Sequence, residues 1–149
     1  MQIVELTAKD AGELLTLQRA AYVTEAQIYR DVLLPALTQT LDELVAELSS
    51  ASALGVRAEG RLVGAVRWQL KHGVAAIGRL VVAPDQQGRG IGTALLRAAE
   101  AASGASASEL FTGHLSAANI RLYEREGYVT TRRAPLQDGV DLVFLRKTL

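Results

Sequence analysis

With 149 residues the chain is sized for one domain, and 49% hydrophobic residues at a mean hydropathy of +0.15 suffice for a packed core. Its 16 basic and 16 acidic residues cancel, so charge gives no reason to expect nucleic acid or an anionic membrane as partner. The absence of cysteine excludes disulfides, thiolate nucleophiles and zinc–thiolate sites.

No run of about 18 apolar residues exists to cross a membrane. The N-terminal MQIVELTAKD lacks the basic region and apolar core of a signal peptide, so a cytoplasmic protein is expected.

Gln2 to Leu6 reads as a first strand. Thr7 precedes Asp10 at the spacing of a helix N-cap with an acidic first turn. Ala11, Leu14, Leu15, Gln18 and Tyr22 then share one face of a helix, which is expected to fray after Tyr22. Tyr22 to Thr40 is irregular: two tyrosines, Glu25, Asp31 and Pro35 break any simple period. Thr40 and Glu43 match a capping box, and a second helix follows with Leu41, Leu44, Val45 and Leu48 on one face.

Leu54–Ala58, Arg61–Leu70 and Val74–Ala83 read as three antiparallel strands. Glu59-Gly60 and Lys71-His72-Gly73 form the turns between them. Leu62, Gly64, Val66 and Trp68 point one way along the middle strand.

Leu80 to Leu96, LVVAPDQQGRGIGTALL, reads as strand, turn, glycine loop and helix. The first turn of a helix has unpaired N–H groups at the positive end of the dipole. Glycines let an anion approach that backbone, so the stretch reads as a phosphate cradle, and Arg89 adds a cation. A Walker loop would need Gly-Lys-Ser/Thr, whereas Gly92 is followed by Thr93 and Ala94. The dinucleotide spacing GxGxxG is absent too. What fits is Q/R-x-x-G-x-G/A, at Gln87, Gly90 and Gly92. Ile91, Ala94, Leu95, Ala98 and Ala102 form the apolar face of the third helix.

Ser103–Ser108 reads as a loop and Leu110–His114 as a strand. A fourth helix is expected over Ala117–Glu126, stopped by Gly127. Tyr128–Arg133 and Val140–Arg146 are two strands, with Asp138-Gly139 as the hairpin signal. Asn119 and Tyr123 are four residues apart and share one helix face.

The glycine loop resembles the acyl-CoA pyrophosphate loop of the GNAT superfamily of N-acyltransferases. Asn119 to Tyr128, NIRLYEREGY, is similar to that family's second signature. The element order β-α-α-β-β-β-α-β-α-β-β is also the family's: a mixed α/β fold on a mostly antiparallel sheet flanked by helices, here one domain over residues 1–149. The resemblance implies acetyl-CoA as co-substrate, while two lone histidines without an HExxH spacing give no metal site. It implies that Gln87, Gly88, Arg89, Gly90, Gly92 and Thr93 hold the pyrophosphate. Main-chain groups at Leu80 and Val82 would meet the pantetheine arm, and Asn119 would contact the cofactor. Tyr123 would protonate the departing thiolate.

Acyl transfer to an amine also needs a base. Many relatives carry a glutamate on the central strand, where this chain has Ile77, Gly78 and Arg79. The candidates are His114, His72, Glu25 or a water chain. His114 is preferred because it ends a strand beside the reacting centre and titrates near neutrality. Tyr22, Glu25 and Tyr29 are the candidate acceptor contacts. Without cysteine, direct attack in a ternary complex is favoured. The candidate acceptors are a small amine, an amino acid, a drug-like molecule or a peptide N-terminus, an amine-bearing small molecule being expected. A non-catalytic acyl-CoA-binding module on the same fold is the alternative. A homodimer is compatible with the resemblance, though no exposed apolar stripe demands one.

Overall fold

The computed structural model describes residues 1–149. The chain runs β1 (Gln2–Glu5), α1 (Ala11–Tyr29), α2 (Pro35–Thr38), α3 (Leu41–Leu48), β2 (Ser52–Ala58), β3 (Arg61–Lys71) and β4 (Val74–Val82). It continues with α4 (Ile91–Ser103), β5 (Ala107–Gly113), α5 (Ala117–Arg125), β6 (Val129–Gln137) and β7 (Val140–Thr148). The seven strands form one sheet in the order β1-β2-β3-β4-β5-β7-β6. Only β4 and β5 pair in parallel, so the sheet is mostly antiparallel, as expected.

β3 is buried along most of its length, because helices cover both of its faces. Gly64 faces α4, close to Ile91 and Leu95. Arg67 faces the other way, toward Gln18 of α1 and Glu47 of α3. The capping box at the start of α3 forms: the Thr40 hydroxyl accepts from the Glu43 N–H at 3.1 Å, and Glu43 accepts from the Thr40 N–H at 2.9 Å.

Four sequence expectations are corrected. α1 does not fray after Tyr22 but runs to Tyr29 and ends at Arg30 with φ 52°. Val23, Thr24, Gln27 and Ile28 are exposed, so apolar periodicity carries no sign of these last turns. They are held by side-chain bonds to α5, described below. On α3 only Leu44 and Leu48 are buried, while Leu41 and Val45 remain 46% and 38% exposed: this short helix buries one narrow stripe. β5 begins at Ala107, three residues early, because parallel pairing to Val74–Ala76 recruits the small residues read as a loop. β6 continues through Pro135 to Gln137. It is an edge strand, where a missing N–H is tolerated, and its register shifts between Pro135 and Gln137.

Two irregularities in β4 position the site. Its pairing with β5 covers only Val74–Ala76 against Ala107–Glu109, after which the strands diverge: β4 stays with β3 and β5 with β7. Ala65 lies opposite Val81 and Arg67 opposite Gly78, so Arg79 and Leu80 together face Val66. This is a β-bulge, with Arg79 at φ 50°.

Candidate active site

The glycine loop closes the open end of β4. Gly88 and Gly90 have φ near +80°, the region that disfavours a side chain, and each has open space where a Cβ would stand. Gly90 is the N-cap of α4 and brings no side-chain cap, so the N–H groups of Ile91, Gly92 and Thr93 have no partner within the helix. This donor set fits a diphosphate. Gln87 donates to the Val82 carbonyl at 3.4 Å. Arg89 lines a shallow hollow with Met1, Gln2 and Arg57.

Leu80 and Val82 are half-buried beside the sheet opening. The last turns of α1 meet the start of α5 through a cluster of side chains. Ser116 donates to Glu25 Oε2 at 2.6 Å, and its oxygen lies 2.7 Å from the Tyr29 hydroxyl. Asn119 donates weakly to Glu25 Oε1, at 3.5 Å. Tyr29 also lies flush on Gly113, where a Cβ would clash with its phenol oxygen. A residue with a side chain at position 113 would displace the Tyr29 phenol.

Tyr123 stands on α5 next to this cluster and is 8% exposed. Burial, and secondarily the charges of Tyr22 and Glu25, hold its phenol well above the ordinary value. It is therefore a protonated donor at neutral pH.

The sequence model described as the acetyltransferase (GNAT) domain matches residues 49–130, more than half of the chain. The chain belongs to the GNAT family. It is 31% identical over 131 residues to the UPF0157 protein YqkA of Bacillus subtilis, covering 87% of this chain but 38% of that protein. It thus spans well under half the length of this relative. The fold is shared with the PaiA N-acetyltransferase of Thermoplasma acidophilum, solved with coenzyme A, at TM-score 0.81 and 20% identity over 99% of this chain and 98% of that one. It is likewise shared with the ribosomal-protein-S18-alanine N-acetyltransferase of Escherichia coli, at TM-score 0.81 and 19% identity over 99% and 92%. Acetyl-CoA is the co-substrate of GNAT acetyltransferases. No group of three or more metal-ligating side chains converges in this chain, and no helix is long and apolar enough to cross a membrane.

Within this GNAT domain, His114 is held against the Asp141 main chain of β7. The Asp141 N–H donates to its Nδ1 at 2.9 Å. The Asp141 carbonyl lies 3.3 Å from the same nitrogen, so one tautomer accepts from the N–H and the other donates to the carbonyl, leaving Nε2 unprotonated. His114 braces the start of the β5–α5 connection against β7. His72 is exposed in its turn at φ 53°. Of the acceptor contacts expected, Tyr29 is committed to Ser116, while Tyr22 and Glu25 border Tyr123.

On the sheet face that bears α1 and α3, a trough of about 360 Å³ runs from the bulge across β5 to β7 and β6. Its cations are Arg67, Lys71, Arg79 and Arg132, and the aromatic rings Phe111 and Phe144 lie 5.6 Å apart. Sequence reading missed this feature. Its residues come mainly from five strands, and only the registers bring them together.

Proposed function

We propose that this chain transfers an acetyl group from acetyl-CoA to a primary amine by direct attack in a ternary complex, with residues 1–149 acting as one domain. The observation that carries the reading is Tyr123: a buried phenol, kept protonated by that burial, beside the opening of the sheet.

The roles follow from position. Gln87, Gly88, Arg89, Gly90, Gly92 and Thr93 bind the diphosphate at the start of α4. Main-chain groups of Leu80 and Val82 hold the arm that leads to the thioester, and Asn119 contacts it. The amine nitrogen forms the new C–N bond as the C–S bond breaks. Tyr123 donates a hydrogen bond to the departing sulfur. A thiol has an ordinary pKa of about 8.5, below that of this phenol. The hydroxyl therefore stabilises the thiolate without giving up its proton outright. Glu25, its carboxylate oriented by Ser116 and Asn119, accepts the amine's proton.

The test is release of free thiol from acetyl-CoA across a panel of amines, with thermal unfolding run in parallel. Acetyl-CoA should raise the melting temperature by binding the native state. Thr93→Glu puts a carboxylate in the first turn of α4, where it suits the helix but repels a diphosphate, and should abolish that rise without lowering the ligand-free stability. Binding without thiol release for any amine would support the acyl-CoA-binding module instead. A full thermal shift in Thr93→Glu would remove the loop from the site.

A further inference from the structure

The trough holds four cations and two carboxylates, Glu47 and Glu109. Both carboxylates are already paired. Glu47 takes Arg67 at 2.9 Å and Glu109 takes Arg146. Arg67 also donates to Gln18 at 3.0 Å, although its own Nε is buried without a partner. Arg79 is different. It belongs to none of the chain's ion pairs. Its Nε is buried with no hydrogen-bond partner. Its guanidinium stands 5.9 Å from the centre of the Tyr22 ring, and its backbone is left-handed at φ 50°.

An unpaired buried donor and a non-glycine residue at positive φ are each costly, and such costs concentrate where a ligand is recognised. Here both fall on one residue, at the bulge where the sheet opens. The same Tyr22 that carries the guanidinium raises the Tyr123 phenol, so the cation and the reacting centre share a neighbour. A simple cationic amine would be repelled by this surplus of positive charge. An amine that also bears an anion would be drawn in and oriented.

We infer that the acceptor is an amine carrying a second, anionic group, a carboxylate or a phosphate, and that Arg79 receives that group. This rests on the acyl-transfer reading and names its substrate class. The guanidinium fork suits both anions in bidentate geometry. Lys71 and Arg132 add positive potential further along the trough, Arg132 held 3.7 Å over the Phe144 ring.

The experiment compares thiol release for matched pairs: leucine with isopentylamine and phenylalanine with 2-phenylethylamine for the carboxylate, phosphoethanolamine with ethanolamine for the phosphate. The anionic member should be preferred in kcat/KM by at least about 10-fold in one class, which identifies the anion. Arg79→Asn, which tolerates the left-handed backbone, should shrink that preference by on the order of 10- to 100-fold, the scale of a charged hydrogen bond, chiefly through KM. Arg79→Lys should restore part of it. Equal use of both members, or an equal loss for both in Arg79→Asn, overturns the inference.

The same pairs are added to the CoA-bound protein and read by melting temperature. A rise with the anionic member alone, lost in Arg79→Asn, upholds the anion site even if no amine is acetylated and the transfer reading fails. No difference between members in either readout overturns the anion site.

Discussion

Tyr123 and Tyr128 stand with ring centres 6.0 Å apart. Both are buried, and in both burial raises the phenol well above its ordinary value. Their hydroxyls are used in opposite ways. That of Tyr128 donates to Glu100 at 2.7 Å and lies 2.6 Å from the Ser108 oxygen, while Lys147 neutralises Glu100 at 3.0 Å. The network ties α4 to β5 and β7. The Tyr123 phenol is perturbed by burial and by its neighbours' charges, without a hydrogen bond. Burial alone therefore does not mark function. What separates the two rings is whether the polar end is already committed. A related contrast separates Arg67, whose terminal nitrogens take Glu47 and Gln18, from Arg79, which belongs to no ion pair.

The largest expected effect tests the uncommitted ring. Tyr123→Phe keeps the packing and removes a hydroxyl that acts as the sulfur leaves, so kcat and kcat/KM should fall together by on the order of 10²-fold. Affinity for acetyl-CoA and thermal stability should hardly change. Wild-type kcat under conditions where chemistry limits the rate would return Tyr123 to packing. The committed ring should answer in reverse. Tyr128→Phe leaves the fully buried Ser108 hydroxyl without its partner. It should lower unfolding free energy by about 1–3 kcal/mol in urea titration and leave kcat intact. If Tyr128→Phe is as stable as wild type, the network does not hold the fold.

How far the sequence reveals this contrast depends on the range of the interactions. The glycine loop, the Thr40–Glu43 capping box and the stop at Gly127, which takes φ 96°, are local, and their residues announce them. Asn119 and Tyr123 fall on one face by spacing alone. The last turns of α1 are invisible because Glu25 and Tyr29 are held by Ser116, some 90 positions away. The fate of His114 depends on an N–H contributed by Asp141 across a strand pair. Arg79 follows Gly78 in a strand pattern, and nothing nearby shows that the register slips by one residue there. A serine directly before the fourth helix is the one signal that could have drawn attention to Ser116.

His114→Ala should produce a smaller effect. The Asp141 N–H loses its acceptor, at about 1 kcal/mol of stability. The pH–rate profile should keep its shape, since in the proposed reaction Glu25 takes the amine's proton. Disappearance of a near-neutral limb from that profile would reinstate His114 as the base and displace Glu25.

The smallest effect lies at alkaline pH and compares the two rings directly. Below about pH 10, the ordinary phenol value, both tyrosines are protonated in the native and the unfolded chain and contribute no pH dependence. Above it, the unfolded chain ionises there while the native chain holds both protons. The unfolded state then binds fewer protons, and stability falls as pH rises. An ultraviolet titration of native protein should therefore show a late component of two phenols that ionise only as the fold gives way. Tyr123→Phe and Tyr128→Phe should each remove one of them. The two variants should differ in when the remaining phenol appears. Loss of Tyr128 weakens the fold, so Tyr123 is exposed at lower pH; loss of Tyr123 leaves the network whole and Tyr128 late. Reversible ionisation of both rings near pH 10, with the fold intact, would show that neither site is as dry as its burial implies, and would undo the contrast between them.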